Sequence, residues 1–198
     1  MNQNNKKLEL LGSIPIQKAL LTLGLPTMIG MLINALYNIV DTYFVGGLGT
    51  HQMGAVTVVF PLGQIIVGLG LLFGNGAAAY LSRLLGCGDK DTANKVTSTA
   101  LYSSLFVGAI MIIFSVIFLK PILKQIGAID NVMPYAMTYA RIYITFSIFN
   151  IFNVTMNNIV SSEGSAKTAM SALLAGALLN VILDPIFIYT FDYGIAGA

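Results

Sequence analysis

Long apolar runs separated by short polar stretches organise this chain. Five runs, at about residues 19–45, 55–81, 97–119, 137–160 and 166–188, reach the roughly 20 residues that a helix needs to cross a bilayer. Strands of a membrane barrel are about 10 residues long and alternate strictly, whereas these runs are longer and apolar all round, so each predicts a helix. The first run follows a polar start, Asn2 to Lys7, and the segment Ser13-Ile14-Pro15, where a serine can cap and a proline suits a first helical turn. It is too long for the core of a cleaved signal peptide and lacks a small-x-small cleavage site. Gly194 to Ala198 reads as the beginning of a sixth run.

Composition agrees with this pattern. The 198 residues are 56% hydrophobic and 9% charged, with a mean hydropathy of +0.81, whereas soluble domains carry about 25% charged residues. The fold class is therefore an all-α integral membrane bundle. No basic stripe suggests nucleic acid, and no nucleophile with a neighbouring base suggests an enzyme. Cys87, between Gly86 and Gly88, has no second cysteine to pair with, and His51 has no partner at metal-ligand spacing. The Gly68-Leu69-Gly70 run follows no strand and is no dinucleotide loop.

The charges matter by position. Lys6, Lys7, Lys18, Arg83, Lys90, Lys95 and Lys167 fall at one set of span ends, against Lys120, Lys124 and Arg141 at the other. Seven of ten cations on one side predict a cytoplasmic amino terminus in a cell inner or plasma membrane.

Two acids stand inside the apolar runs. An ionised carboxylate in hydrocarbon costs several kcal/mol unless paired or neutralised, so Asp41 and Asp184 are candidate functional groups. In the predicted topology spans one and five run in the same direction, and each acid lies about four residues, roughly 6 Å, below the outer end of its span. Tyr139, on the oppositely running span four, reaches a similar depth. Asn180 precedes Asp184 by one helical turn and faces the same way, and Pro185 frees a carbonyl beside them. Two carboxylates, an amide oxygen and a phenol can ligate a monovalent cation or relay a proton; as packing glue they would instead hydrogen-bond neighbouring helices.

Polar stripes extend from these positions. Asn34, Tyr37, Asn38 and Asp41 share one side of span one, while Tyr139, Tyr143, Phe146, Asn150, Asn153 and Asn157 recur at steps of four and three along span four. Both stripes suit a cavity wall, and for the asparagines interhelical hydrogen bonding fits as well. Pro26, flanked by Gly24 and Gly30, interrupts span one as either a hinge or a static kink. Gly70 and Gly74 have the small-xxx-small spacing of closely packed helices.

Several segments together resemble the multidrug and toxic compound extrusion (MATE) transporters, in the DinF-like bacterial branch. They are Pro15-Ile16-Gln17-Lys18-Ala19-Leu20-Leu21 with Leu25-Pro26-Thr27, then Asn38-Ile39-Val40-Asp41-Thr42 with Gly46 and Gly47. Ser82-Arg83-Leu84-Leu85-Gly86-Cys87-Gly88-Asp89-Lys90, Glu163-Gly164-Ser165-Ala166-Lys167 and above all Asn180-Val181-Ile182-Leu183-Asp184-Pro185 complete the likeness, which covers essentially the whole chain. The resemblance implies twelve helices in two lobes, of which residues 1–198 would be the amino-terminal one: five helices and the start of a sixth. The carboxy-terminal lobe of the same protein is then the missing partner, with the lipid bilayer and small-molecule substrates as the others; a self-dimerising half-transporter is the alternative.

Carried over residue by residue, the resemblance implies a cation or proton site at Asp41, Asn180 and Asp184 with Tyr139 nearby, and no metal beyond a Na+ there. The family's further hydroxyl ligand would lie past Ala198. Asn34, Tyr37, Asn153 and Asn157 are candidate walls of a substrate cavity, and Pro26 is the candidate hinge. The function expected is antiport without a cofactor: inward Na+ or H+ drives export of amphipathic, often cationic, molecules by alternating access. Alternatives are a flippase for lipid-linked precursors, which needs a basic cavity and has only Arg141 to offer, and a structural membrane subunit that transports nothing.

Overall fold

The computed structural model describes residues 15–197, which fold as a helical bundle. Helix α1 (Ile16–Gly46) meets α2 (Thr50–Cys87) through a tight turn in which Gly49 takes φ +125°. Then come α3 (Lys90–Ile117), the short α4 (Leu119–Ile126), α5 (Met133–Ser162) and α6 (Ala166–Pro185), followed by a π turn at Ile186–Thr190 and a 3-10 turn at Gly194–Ala196. The expected polar start and the cap at Ser13 lie outside the described residues. Pro15 directly precedes α1, where its carbonyl accepts the Lys18 N–H at 2.9 Å.

By length and apolarity, α1, α2, α3 and the segment Ala166–Thr190 can cross a membrane. Helix α5 spans 30 residues, but its amides and hydroxyls make it less apolar. It is the central helix, packed along α2 and touching α3, α4 and α6, while α1 leans chiefly on α6. Leu20, Leu21, Met28, Leu32, Leu36 and Ile39 of α1 are exposed, as befits a face turned to hydrocarbon.

The α2–α5 seam follows from periodicity. Ala55, Val59, Leu62, Ile66, Gly70, Gly74, Ala77 and Leu81 recur every three or four residues and are buried, against Ala136, Ala140, Ile144, Ser147, Ile151, Thr155 and Ile159 of α5. The glycines are there for closeness. A Cβ on Gly70 would stand 2.8 Å from Val154 Cβ, and one on Gly74 3.1 Å from Asn158 Cβ. Thr155 Oγ1 also donates to the Gly70 carbonyl at 3.2 Å, a bond that only this approach permits.

Two elements differ from expectation. Helix α3 ends at Ile117 because Phe118 (φ −102°, ψ 17°) leaves helical geometry, and the residues that follow form α4, with Leu119 and Leu123 buried. The fifth run stops being α-helical at Pro185, whose missing N–H and ring break the ladder, and the backbone widens into the π turn. At the expected sixth run the described residues hold the 3-10 turn, with Ile195 buried in the same core as Leu119, Ala136 and Ile144.

The α2–α3 connection is stabilised by short-range chemistry. Gly88 adopts φ +79°, letting the Asp89 N–H reach the Leu84 carbonyl at 3.0 Å, and Asp89 Oδ1 caps α3 by accepting the Thr92 N–H at 3.0 Å. Hydrogen bonds from the Thr92 hydroxyl and then from its backbone N–H hold the Asp89 carboxyl below its ordinary range. A depressed folded-state pKa contributes stability above the unfolded value, about pH 3.9, and loses it as pH falls through the folded one. In detergent, Asp89→Ala is therefore expected to melt below the wild type at neutral pH, with the gap closing below about pH 4. Thermal midpoints across pH check this.

Candidate ion and substrate cavity

A cavity of about 790 Å³ opens between α1 and α6 on one side and α2 and α5 on the other. Each of α1, α2 and α5 contributes the part nearest the α1–α2 turn, so the cavity lies toward that end of the bundle. From α1 come Asn34, Tyr37, Asn38, Asp41 and Thr42; from α2 Gln64; from α5 Tyr139, Tyr143, Asn150 and Asn153; from α6 Asn180. Apolar surface from Val56, Phe60, Val67 and Leu173 fills the gaps between them. Among the described residues that line it there is no Lys, Arg or His, and Asp41 is the one acid.

The stripe of α1 is ordered along its own helix. Asn38 Nδ2 donates to the Asn34 carbonyl at 2.7 Å and to Asn34 Oδ1 at 2.9 Å, and Thr42 Oγ1 donates to the Asn38 carbonyl at 2.7 Å. Asp41 accepts none of these bonds. Its side chain is half-buried and faces the cavity.

Asp184 lies behind the wall rather than on it. It is only 4% exposed, and its Oδ1 accepts from Asn180 Nδ2 at 2.9 Å, the bond expected one helical turn apart. The remaining oxygens, Asn180 Oδ1 and Asp184 Oδ2, are buried without a partner. Buried acceptors are normally satisfied, so these two, on neighbouring turns of one helix, and Asn150 Oδ1 on α5 are exceptions in want of a partner. Asp41, Asp184, Tyr37 and Tyr139 all lie within electrostatic range of one another. No cluster of three His, Cys, Asp or Glu side chains that could hold a metal occurs among the described residues.

The structure thus brings Asp41, Asn180, Asp184 and Tyr139 together, and places Asn34, Tyr37 and Asn153 on the cavity wall. Asn157 is not there. One turn past Asn153, its Nδ2 donates to the Ala169 carbonyl at 3.2 Å and joins α5 to α6. Phe146, on the same stripe, is exposed and does not line the cavity. Arg141 is also exposed and does not line it, so the cation required for a pyrophosphate-binding cavity is missing from these walls. Pro26 is buried inside an α1 that continues on both sides of it.

Gln64 is a wall residue that periodicity does not single out. It is the lone amide in the apolar stretch Val58–Phe73, and that isolation is its only signal in the chain. The role of Gly63 is equally hidden: a Cβ there would come within 3.0 Å of the Tyr143 hydroxyl, so the glycine makes room for the phenol.

Comparisons with known proteins agree with this architecture. The MatE family model matches residues 26–186. Multidrug export protein MepA of Staphylococcus aureus is 34% identical over 185 residues, which are 93% of this chain and 41% of that protein. Among solved structures, an outward-facing multidrug resistance MATE family transporter of the MOP superfamily superposes with a TM-score of 0.91 at 36% identity, covering 98% of this chain and 43% of that one. A MOP superfamily transporter from Pyrococcus furiosus gives a TM-score of 0.91 at 35% identity, over 97% and 42%. The chain spans about two fifths of the length of these relatives. With most of its residues matched by the family model, and the bundle superposing over nearly its full length, this chain belongs to the MATE family.

Proposed function

We propose that this chain forms the ion-coupled lobe of a secondary antiporter, in which inward movement of Na+ or H+ drives export of amphipathic, cationic small molecules. The observation that carries the reading is the Asn180–Asp184 pair, with one oxygen of each buried and unpartnered beside a cavity that Asp41 enters from the neighbouring helix α1. Oxygen-only donors suit a hard monovalent cation, and the same carboxylates can carry a proton instead.

In this reading Asp41, Asn180 and Asp184, with Tyr139, hold the ion, while Asn34, Tyr37 and Asn153 face substrate. Phenol faces at Tyr37, Tyr139 and Tyr143 offer cation–π surface, and among the described residues the walls carry no competing positive charge. That polarity supports a cationic substrate over a phosphate-bearing lipid precursor. Helix α5 also crosses the membrane, making five crossings at about residues 19–45, 55–81, 97–119, 137–160 and 166–188. Its 30 residues extend about 45 Å, and α2, α3 and α6 pack along it. The amino terminus is cytoplasmic, with Arg83, Lys90, Lys95 and Lys167 gathered at the same face. A second lobe completes the transport pathway.

Coupling requires unequal binding. An ion drives transport only if it binds two arrangements of the bundle with different affinity. Helix α1 can supply those arrangements. It bears Asp41, carries Pro26 as a hinge in its first half, and is the least packed against the rest of the bundle on its outer face, where Leu20, Leu21, Met28 and Leu32 are exposed. The test is efflux of a cationic dye from proteoliposomes of the full-length protein, with Na+ and proton gradients imposed separately. One gradient should drive efflux against the dye's own gradient; failure of both would overturn the proposal.

A further inference from the structure

The three cations that break the charge bias of the chain are not scattered: they lie on two neighbouring elements. Lys120 and Lys124 project from α4, and Arg141 from α5, which packs against α4. The two helices share one core, in which Leu119 and Leu123 of α4 are buried in the same cluster as Ala136 and Ala140 of α5. Burial of Leu119 and Leu123 fixes the rotation of α4, and that rotation leaves Lys120 and Lys124 exposed.

None of the three is neutralised by another of the described residues. Asp130, on the α4–α5 connection, is exposed, and neither it nor the three cations makes an ion pair among the described residues. Nor does the transport cavity employ them, since Arg141 stands eight residues into α5, about 12 Å along the axis, on a face that does not line the cavity. An exposed arginine at that depth in a membrane bundle reaches for the interface with its guanidinium, its stem lying along apolar surface. That surface is present: Phe114, Ile117 and Phe118 beside α4, and Ile142 beside Arg141, are all exposed.

We propose that this corner of the bundle docks one anionic phospholipid, with Lys120, Lys124 and Arg141 on the phosphate-bearing headgroup and the exposed Phe and Ile side chains along its acyl chains. Charge complementarity selects the occupant. A guanidinium and two ammonium groups without counter-ions among the described residues match a headgroup of net negative charge, and a zwitterionic lipid brings its own cation to the same place. Because α4 bridges the end of α3 and the start of α5, such a lipid would clamp the outer edge of the α2–α3–α5 block.

The test is native mass spectrometry of the detergent-purified full-length protein titrated with phosphatidylglycerol or phosphatidylcholine. Wild type should retain phosphatidylglycerol in clear preference to phosphatidylcholine. The combined variant Lys120→Gln, Lys124→Gln, Arg141→Gln should bind phosphatidylglycerol on the order of a hundredfold more weakly, at about fivefold per surface cation. Arg141→Lys, which keeps the charge, should retain most of the binding, and circular dichroism monitors folding of both variants. Equal retention of the two lipids by wild type, or undiminished phosphatidylglycerol binding by a folded triple variant, would overturn the proposal.

Discussion

Asp184→Asn in the full-length protein is expected to abolish ion-coupled efflux while leaving the bundle folded. The amide is nearly isosteric, and it can still accept the 2.9 Å bond from Asn180 Nδ2 with its remaining oxygen. What it loses is the charge and the second oxygen, Oδ2, which is buried and without a partner in the native protein. Removing one charge from a buried, complementary set costs about 3–5 kcal/mol, so ion affinity should fall by at least about a hundredfold. Asp41→Asn should do the same from the α1 side, where the carboxylate enters the cavity and accepts no hydrogen bond from the described residues. The distinguishing measurement is dye efflux at saturating and limiting ion gradients, beside thermal midpoints. If the acids serve only packing, both variants melt early and transport normally once reconstituted; undiminished coupled efflux by both would sink the ion-site reading.

The second large effect concerns packing. Gly70→Val is expected to destabilise the protein by about 1–3 kcal/mol or more, because its Cβ alone would stand 2.8 Å from Val154 Cβ and 3.2 Å from the Ile151 carbonyl oxygen. The Thr155 to Gly70 bond, at 3.2 Å, would be stretched by the same displacement. Gly76→Ala is the internal control. It lies six residues further along α2 with nothing within 4 Å of a Cβ, so it should be neutral or stabilising by up to about 1 kcal/mol through helix propensity. Thermal midpoints in one detergent, compared between these variants, read out the difference; equal values would mean that α2 and α5 do not approach as described.

Helical periodicity makes part of the site legible in the chain itself. It places Asn180 and Asp184 on one face, and Asn34, Tyr37, Asn38 and Asp41 on another, because side chains three and four residues apart point the same way. It does not say which face of α5 meets α2 and which meets the cavity. Both faces of α5 carry polar groups at the same spacing, and the small-to-large match of Gly63, Gly70 and Gly74 against Tyr143, Val154 and Asn158 decides the rotation. Asn157 shows the consequence. It continues the stripe in sequence, yet its amide is taken by the Ala169 carbonyl once α6 docks. Helix α4 is illegible for a different reason: eight residues with two lysines and a proline read as a polar connection until the core claims Leu119 and Leu123.

The sequence by itself determined the solvent, the long helices and the acids: hydrocarbon runs of this length leave the backbone no other way to satisfy its polar groups, and two carboxylates within them demand partners. Only the tertiary structure decided that Asp41 from α1 and the Asn180–Asp184 pair from α6 meet at one cavity, that Gln64 joins its wall, and that Arg141 turns away from it. Periodicity specifies direction around a helix's own axis, whereas the identity of the neighbour in that direction depends on how closely the glycine seam of α2 lets α5 approach.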